Sequence, residues 1–377
     1  MEPVSELSVL YHNLMTESKK IAVLCNYQLL PDRVGGMDYF FWQFDKQCAA
    51  NGIQVDWFFP NQSDHGEYNT LTVFGSEDKA VENYFLSFCK TNKTEYTHII
   101  THFIELCTPF FYKIKQYSTG KIIAIDHNPR PIYHYSLKKR IEKRIKGILF
   151  SRYIDLFVGV SNYTVNEIIN DFGPHLVKKS KTIYNGVILE DIQVRNHRNI
   201  VKPNFLVASH LRESKGIQDL ITAVALLPSS IQKTIKIDLY GDGPYKSVLV
   251  EKMKQHDVEH CFAFMGSSPN LKAVFLNYDY MLQPTHMECF SLSILESLAA
   301  NVPVITTNVG GNEEVLVDGE NGYIFKAKDI HELKEILEKV YLGHATIQSN
   351  TRVIVENGFS LQKMVEQHFA LVLDNKS

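Results

Sequence analysis

The sequence predicts a doubly wound α/β protein: two Rossmann-like, parallel-sheet domains facing each other across a cleft. Three observations predict it. Short apolar runs rich in β-branched residues alternate with helical runs, and the alternation occurs twice along the chain. The apolar runs are continuous rather than alternating, as in strands buried on both faces. A polar stretch, ILEDIQVRNHRNIVKPN (188–204), separates the two series.

In the first series the expected strands are KIAVLCNY (20–27), IQVDWFF (53–59), THIITHF (97–103), KIIAIDH (121–127) and IDLFVGV (154–160). Helical segments MDYFFWQFDKQCAAN (37–51) and VENYFLSFCK (81–90) lie between them. The second series gives strands FLVASHL (205–211), IKIDLYG (235–241), CFAFMG (261–266), YMLQPT (280–285) and PVITTNV (303–309), with helices GIQDLITAVALL (216–227) and SLSILESLAA (291–300). A last helical segment, LQKMVEQHFALVLD (361–374), has no strand after it. The expected domains are therefore 1–195 and 196–360, followed by a C-terminal helical segment, 361–377, free to pack back on the N-terminal domain.

The 377 residues are 45% hydrophobic and carry a formal charge of −3, enough apolar material for two cores and no general case for nucleic-acid binding. The six cysteines form no C-x-x-C pair or metal spacing and suit a reducing compartment as small buried hydrophobes. Residues 1–20 lack the apolar core of a signal peptide, and no run reaches the ~18 residues of a membrane span. A cytoplasmic protein is expected. There is no G-x-x-x-x-G-K-[ST], and GDGPYK (241–246) departs from G-x-G-x-x-G at its last position, so P-loop hydrolysis and NAD use lose their main support.

The stretch HMECFSLSILESLA (286–299) places Glu288 and Glu296 eight residues apart in an otherwise apolar or small run. On one continuous helix they would lie about 80° apart and roughly 12 Å along the axis, too far to grip one small group. Glu288 instead reads as a loop residue, with a helix starting near Ser291 or Ser293, either able to cap it. Glu296 then falls at the margin of the buried face, where a carboxylate is costly without a hydrogen-bond donor. A ribose diol would supply two, and the free amides at the helix start suit a diphosphate. The spacing matches an extended ligand: sugar at Glu288, phosphates at the helix start, ribose at Glu296.

This stretch resembles the E-x(7)-E signature of retaining GT-B glycosyltransferases, specifically glycosyltransferase family 4 (glycosyl transferases group 1). FLVASHLRESKGIQDLI (205–221), LYGDGP (239–244) and LQPTHMECFSLSILESLAANVPVITTNVGGNEEVLVDGENGYIF (282–325) resemble the family's segments in order. The first half resembles it through GG (35–36), IDHNP (125–129), VS (160–161) and YNGV (184–187).

The resemblance implies that Glu288 contacts the donor sugar, Phe290 and Ser291 offer backbone amides, and Glu296 holds the ribose. It implies that Lys215 neutralises the diphosphate. The family's arginine position holds His210, with Arg212 two residues on, so either His210 takes the role as a weaker donor or Arg212 substitutes. Cys289 and Ser291 stand where the family often has glycines, leaving the donor sugar open. The family's glycine loop corresponds to Gly35 and Gly36, and its histidine facing the donor sugar to His127, with His102 a weaker candidate. Asn185 and Gly186 read as a turn into the linker.

The reaction so implied transfers a sugar from a nucleotide-diphosphate donor, UDP by default, to a hydroxyl of a glycan or lipid-linked acceptor in surface-polysaccharide or glycoconjugate synthesis, with retention of configuration. Glu288 and His127 are the expected catalytic residues. No D-x-D pair occurs, so no metal and no cofactor beyond the donor is expected to be required. An epimerase of the same fold or a non-catalytic nucleotide-sugar binder are the alternatives.

The segment 130–153 carries Arg130, Lys138, Lys139, Arg140, Lys143, Arg144, Lys146 and Arg152 against the single acid Glu142. Leu137, Ile141, Ile145 and Ile148 recur at helical spacing within it. Two readings stand: an ordinary helix whose apolar side joins the core, or a peripheral contact of 137–152 with an anionic membrane, at the inner face of the cell membrane.

Overall fold

The computed structural model describes residues 19–373 except 33, 134 and 269. The reading of the N-terminal segment therefore lies largely outside the described residues, as do positions 374–377 of the C-terminal segment.

Two parallel sheets form the frame. The first contains β1 (Lys20–Cys25), β2 (Gln54–Phe59), β3 (Thr72–Gly75), β4 (His98–His102), β5 (Lys121–Asp126), β6 (Leu156–Gly159) and β7 (Ser180–Thr182), in the order β3-β2-β1-β4-β5-β6-β7. The second contains β8 (Phe205–Ala208), β9 (Ile237–Tyr240), β10 (Phe262–Gly266), β11 (Tyr280–Gln283), β12 (Val304–Thr307) and β13 (Gly322–Phe325), in the order β10-β9-β8-β11-β12-β13. Central strands are dry on both faces: Ile21, Ala22, Val23, Leu24 and Cys25 of β1 are all buried, with Val23 registered against Trp57 and Ile100. Strand order reverses at β1/β4 and at β8/β11, which sets a crevice beyond the carboxyl ends of those strands in each domain.

Three strands, β3, β7 and β13, lie outside the expected set. All are at or next to a sheet edge, and their burial is partial (TVFG, SKT, GYIF). A half-wet strand need not carry a continuous apolar run, so the pattern that marks central strands is missing there.

Helix α1 (Gly36–Ala50) follows β1 and buries Phe40, Phe41, Trp42 and Phe44. The last helix, which is α5 (Leu361–Leu373), packs on α1, with His368 against the Phe40 ring at 4.7 Å and Lys19 Nζ bonded to the Val372 carbonyl. One apolar cluster runs from Phe40 and Trp57 through Ile294 and Leu298 to Val365 and Val372, so the two sheets share core. All six cysteines are free and buried.

Helix α2 (Leu137–Phe150) is oriented against its amphipathic pattern. Leu137, Ile141, Ile145 and Ile148 are exposed, from 51% to 72%. Three of its basic residues turn to neighbouring elements instead, while Lys138 and Arg140 are exposed: Lys143 pairs with Asp171 at 3.0 Å, Lys146 with Glu105 at 2.8 Å, and Arg144 donates to the Asn170 carbonyl. Of the two readings of this segment, the one in which the apolar side joins the core is overturned, because carboxylates and carbonyls on neighbouring elements claim Lys143, Arg144 and Lys146. No helix among the described residues is long and apolar enough to cross a membrane.

Candidate active site

The loop leaving β11 carries HMECF into helix α4 (Leu292–Ala299). Ser291 is the cap, its Oγ accepting from Ile294 N. Gln283 at the end of β11 ties both serines, donating to Ser291 Oγ at 2.7 Å and to Ser293 Oγ at 3.1 Å. Glu288 is in the loop and Glu296 on the helix, so the two carboxylates serve different places.

Lys215 ends a short 3-10 turn after β8, and Gly216 follows in the left-handed region at φ +69°. A Cβ at Gly216 would lie 1.7 Å from the Pro284 carbonyl oxygen, so only glycine lets this turn pack on the β11 loop. The packing brings Lys215 Nζ to 2.9 Å from Glu288 Oε2. Glu288 Oε1 also accepts from Cys289 N at 3.2 Å.

Two cavities sharing Leu292 occupy the interdomain cleft. The first, about 320 Å³, sets Met37, Phe103, His127, Val160 and Asn185 of the N-terminal domain opposite Lys215, Glu288 and the Phe290–Ser293 segment. The second, about 1300 Å³, is bordered by Gly35, Gly36 and Tyr39 on one side and by His210, Asp242, Lys272 and Glu296 on the other. A Cβ on Gly36 would meet Leu292 Cδ1 at 2.7 Å, so this glycine allows the α1 start to approach α4 across the domains.

The proposed site residues fall accordingly. Glu288, His127, Lys215, Phe290 and Ser291 border the first cavity; Glu296, His210, Gly35 and Gly36 border the second. Arg212 is exposed and lines neither. The Phe290 ring is engaged with Tyr184 and Phe359, at 5.1 and 5.4 Å, which leaves its backbone for any ligand.

The electrostatics of the two ends differ. At the first, Lys215 and Glu288 compensate each other. At the second, the Glu296 carboxylate has no hydrogen-bond or ion-pair partner among the described residues, and burial pushes its pKa up to about 7, against the opposing pull of Lys272. Lys272 is held by Asp191 at 3.2 Å and lies over the Tyr39 ring at 4.3 Å. His127 Nε2 is 3.0 Å from His102 Nδ1, and its ring stacks on Phe103 at 4.2 Å. Burial lowers the His127 pKa to about 3, with His368 adding to the effect and Asp126 opposing it. His102 is lowered as well, by burial first and by His127 and His368 after it. Both rings are neutral at pH 7 and offer hydrogen bonds rather than charge.

Sequence reasoning passed over Lys272 and dismissed Asn185. Lys272 sits in a four-residue helix with no motif around it. Asn185 reads as a turn residue locally, and only the domain arrangement brings it to the cavity, donating to the Phe290 carbonyl at 3.4 Å. The domains meet through polar contacts also: Ser161 Oγ donates to the Cys289 carbonyl at 3.1 Å, and the Glu314 carboxylate accepts from Asn162 N and Tyr163 N, both at 2.7 Å, at the start of helix α3 (Asn162–Phe172).

Residues 190–357 match the family model of glycosyl transferases group 1. The N-acetyl-alpha-D-glucosaminyl L-malate synthase of Bacillus anthracis is 27% identical over 280 residues, 65% of this chain and 72% of that protein. The capsular polysaccharide biosynthesis glycosyltransferase CapM of Staphylococcus aureus is 26% identical over 278 residues, 65% of this chain and 71% of that protein. Among solved structures, Anabaena HepE in complex with UDP and glucose superposes with a TM-score of 0.73 at 19% identity, covering 95% of this chain and 100% of that one. At that identity the likeness is one of fold.

Proposed function

We propose that this chain, a GT-B glycosyltransferase related to glycosyl transferases group 1, moves a hexose from a UDP-sugar to a hydroxyl of a glycan or lipid-linked acceptor with retention of configuration. The observation that carries the reading is the pairing of Lys215 with Glu288 beside the start of α4, in a cleft that continues to Glu296, which has no partner among the described residues. The donor lies along this line. Glu288 and His127 hold the sugar, Lys215 and the α4 amides the diphosphate, with His210 nearer the cleft than Arg212, and Glu296 the ribose diol. The transition state gathers negative charge on the departing diphosphate, where Lys215 and the helix start oppose it, and positive charge on the sugar ring. The chain's residues supply positioning and water exclusion, with no metal needed for the proposed transfer.

The test is incubation with a panel of UDP- and GDP-sugars, following nucleotide release and the anomeric configuration of the product. An epimerised sugar nucleotide, or binding without any release of UDP, would replace this reading with one of its alternatives.

The exposed apolar face of α2 supports a second element: docking on an anionic membrane surface. Leu137, Ile141, Ile145 and Ile148 enter the interface, flanked by the exposed Lys138 and Arg140. Vesicles rich in phosphatidylglycerol should retain the protein, and the triple change Ile141→Ser, Ile145→Ser, Ile148→Ser should release it without altering UDP binding. Equal retention of both proteins would remove this element.

A further inference from the structure

We propose that the N-terminal-domain wall of the first cavity is the seat of an uncharged sugar ring, so that the acceptor's reacting end is a neutral pyranose rather than a small carboxylic acid or a phosphate ester. The inference rests on the donor reading above, which assigns the opposite wall, together with His127, to the transferred sugar and leaves Met37, Phe103, Val160 and Asn185 to the acceptor.

Three observations carry it. The wall is formed by Met37, Phe103, His127, Val160 and Asn185, and holds no cationic side chain among the described residues. His127 is neutral, and the one ammonium that the described residues bring to the cavity, Lys215, belongs to the other domain and is already paired with Glu288. An anionic acceptor brought here would lose its hydration without gaining a counter-charge, a cost no neutral hydroxyl carries.

The second observation is Phe103. It is the residue after β4, and its backbone sits in the left-handed region at φ +59°. An aromatic residue is rarely found there, and such conformations persist where the surroundings hold them, often beside functional sites. Here the turn lays the half-buried ring flat on His127, interplanar angle 22°, at the cavity border. An apolar ring edge beside a few polar groups suits a pyranose, which has C–H faces and hydroxyl rims.

The third is Asn185. The residue is 6% exposed, borders the cavity, and its buried Oδ1 has no hydrogen-bond partner among the described residues. A buried acceptor left unfilled is unfavourable. A sugar hydroxyl donating to it would remove that cost.

In the transfer, the acceptor oxygen bonds to the anomeric carbon as that carbon's bond to the β-phosphate oxygen breaks. The bonding pair leaves with UDP, and the hydroxyl proton passes to the departing phosphate. The products are the glycoside and UDP.

The experiment uses the full chain and the UDP-sugar it hydrolyses fastest without acceptor. UDP release is compared with added methyl pyranosides of glucose, galactose, mannose and N-acetylglucosamine, with L-malate, and with inositol phosphate. At least one pyranoside should raise the rate roughly ten-fold, and the two anions should leave it near the acceptor-free rate. Phe103→Ala and Asn185→Ala should each raise the pyranoside KM roughly ten-fold and by a larger factor than they change the KM for the UDP-sugar in its acceptor-free hydrolysis, with a cooperative thermal transition shifted upward by UDP showing that each variant is folded. Stimulation by an anion equal to or above the best pyranoside overturns the inference, as does no stimulation by any pyranoside, or an unchanged acceptor KM in both variants. Those results leave donor turnover intact. A wild-type protein that neither hydrolyses a UDP-sugar nor is stabilised by UDP instead fails the donor reading, and this inference falls with it.

Discussion

Replacing Glu296 by Gln should stabilise the empty protein and weaken its grip on UDP, two effects of opposite sign from one atom change. The carboxyl is held at about 7 instead of the ordinary 4.5, because burial disfavours its charged form. At about 1.4 kcal/mol per pH unit, this rise converts to about 3 kcal/mol of stability, an upper figure. The folded pKa is the raised one, so the contribution is fully present below about 4.5 and is lost as pH climbs through 7. Glutamine is neutral throughout. The variant should therefore match the wild type near pH 4.5 and unfold later at pH 8, by about 5 °C if half of the full figure is realised. In binding, the change removes charge-assisted bonds to the ribose diol, worth about 1.5–3 kcal/mol, or roughly 10- to 100-fold in Kd for UDP. Scanning calorimetry between pH 4.5 and 8.5, with and without UDP, checks both arms. A variant no more stable than wild type at pH 8, or a difference that does not change with pH, refutes the argument from burial. An unchanged UDP affinity refutes the ribose assignment.

Lys215→Ala should lower kcat by about 10²- to 10³-fold, since it removes charge where the diphosphate leaves and strands Glu288; a loss below ten-fold in UDP-release kinetics would count against it. His102→Ala should admit water beside His127, lowering kcat while leaving donor KM near wild type, and raising the His127 pKa from about 3 toward its ordinary range. An imidazole NMR titration that stays put would show that His102 does not set the environment of His127. Glu314→Gln should weaken the contact with the α3 amides by about 1 kcal/mol and let the empty domains part, read as a larger radius of gyration by X-ray scattering. An unchanged radius together with an unchanged donor KM would mean the contact does not hold the domains together.

The legible parts of the chain are those where a residue's environment is built by its own neighbours. Runs such as IAVLC and YMLQ announce central strands because burial on both faces leaves no alternation to misread. The split of Glu288 into a loop and Glu296 onto a helix could be read from HMECFSLS alone. The helix start could not be placed between Ser291 and Ser293, because both serines are able to cap and only the folded loop shows which one accepts from the helix, Ser291 from Ile294 N. Periodicity showed that Leu137, Ile141, Ile145 and Ile148 share a face of α2, but not which way that face points. The orientation depends on Asp171 and Glu105, whose positions are known only once the sheet is assembled. Asn185 and Lys272 were hidden for the same reason, since each owes its place to the other domain's approach.

The two ends of the cleft treat charge in opposite ways, and on the proposed reading this divides their tasks. Lys215 and Glu288 are paired before any donor arrives, so neither is stranded and both are already within 2.9 Å of one another near the reacting centre. A donor sugar exchanges their mutual contact for its own hydroxyls and phosphate, gaining little net energy but meeting groups whose positions are set. Glu296 has no such partner among the described residues, so a ribose that donates to it relieves an existing cost and supplies affinity. Orientation comes from the compensated end and binding strength from the uncompensated one. The separation has a consequence for catalysis: affinity drawn from the nucleotide is the same in ground and transition states, whereas the charge that develops on the diphosphate is felt at Lys215. Substitutions at Glu296 should then act mainly on donor KM and those at Lys215 on kcat, and a reversal of that pattern would show that the two ends are not independent.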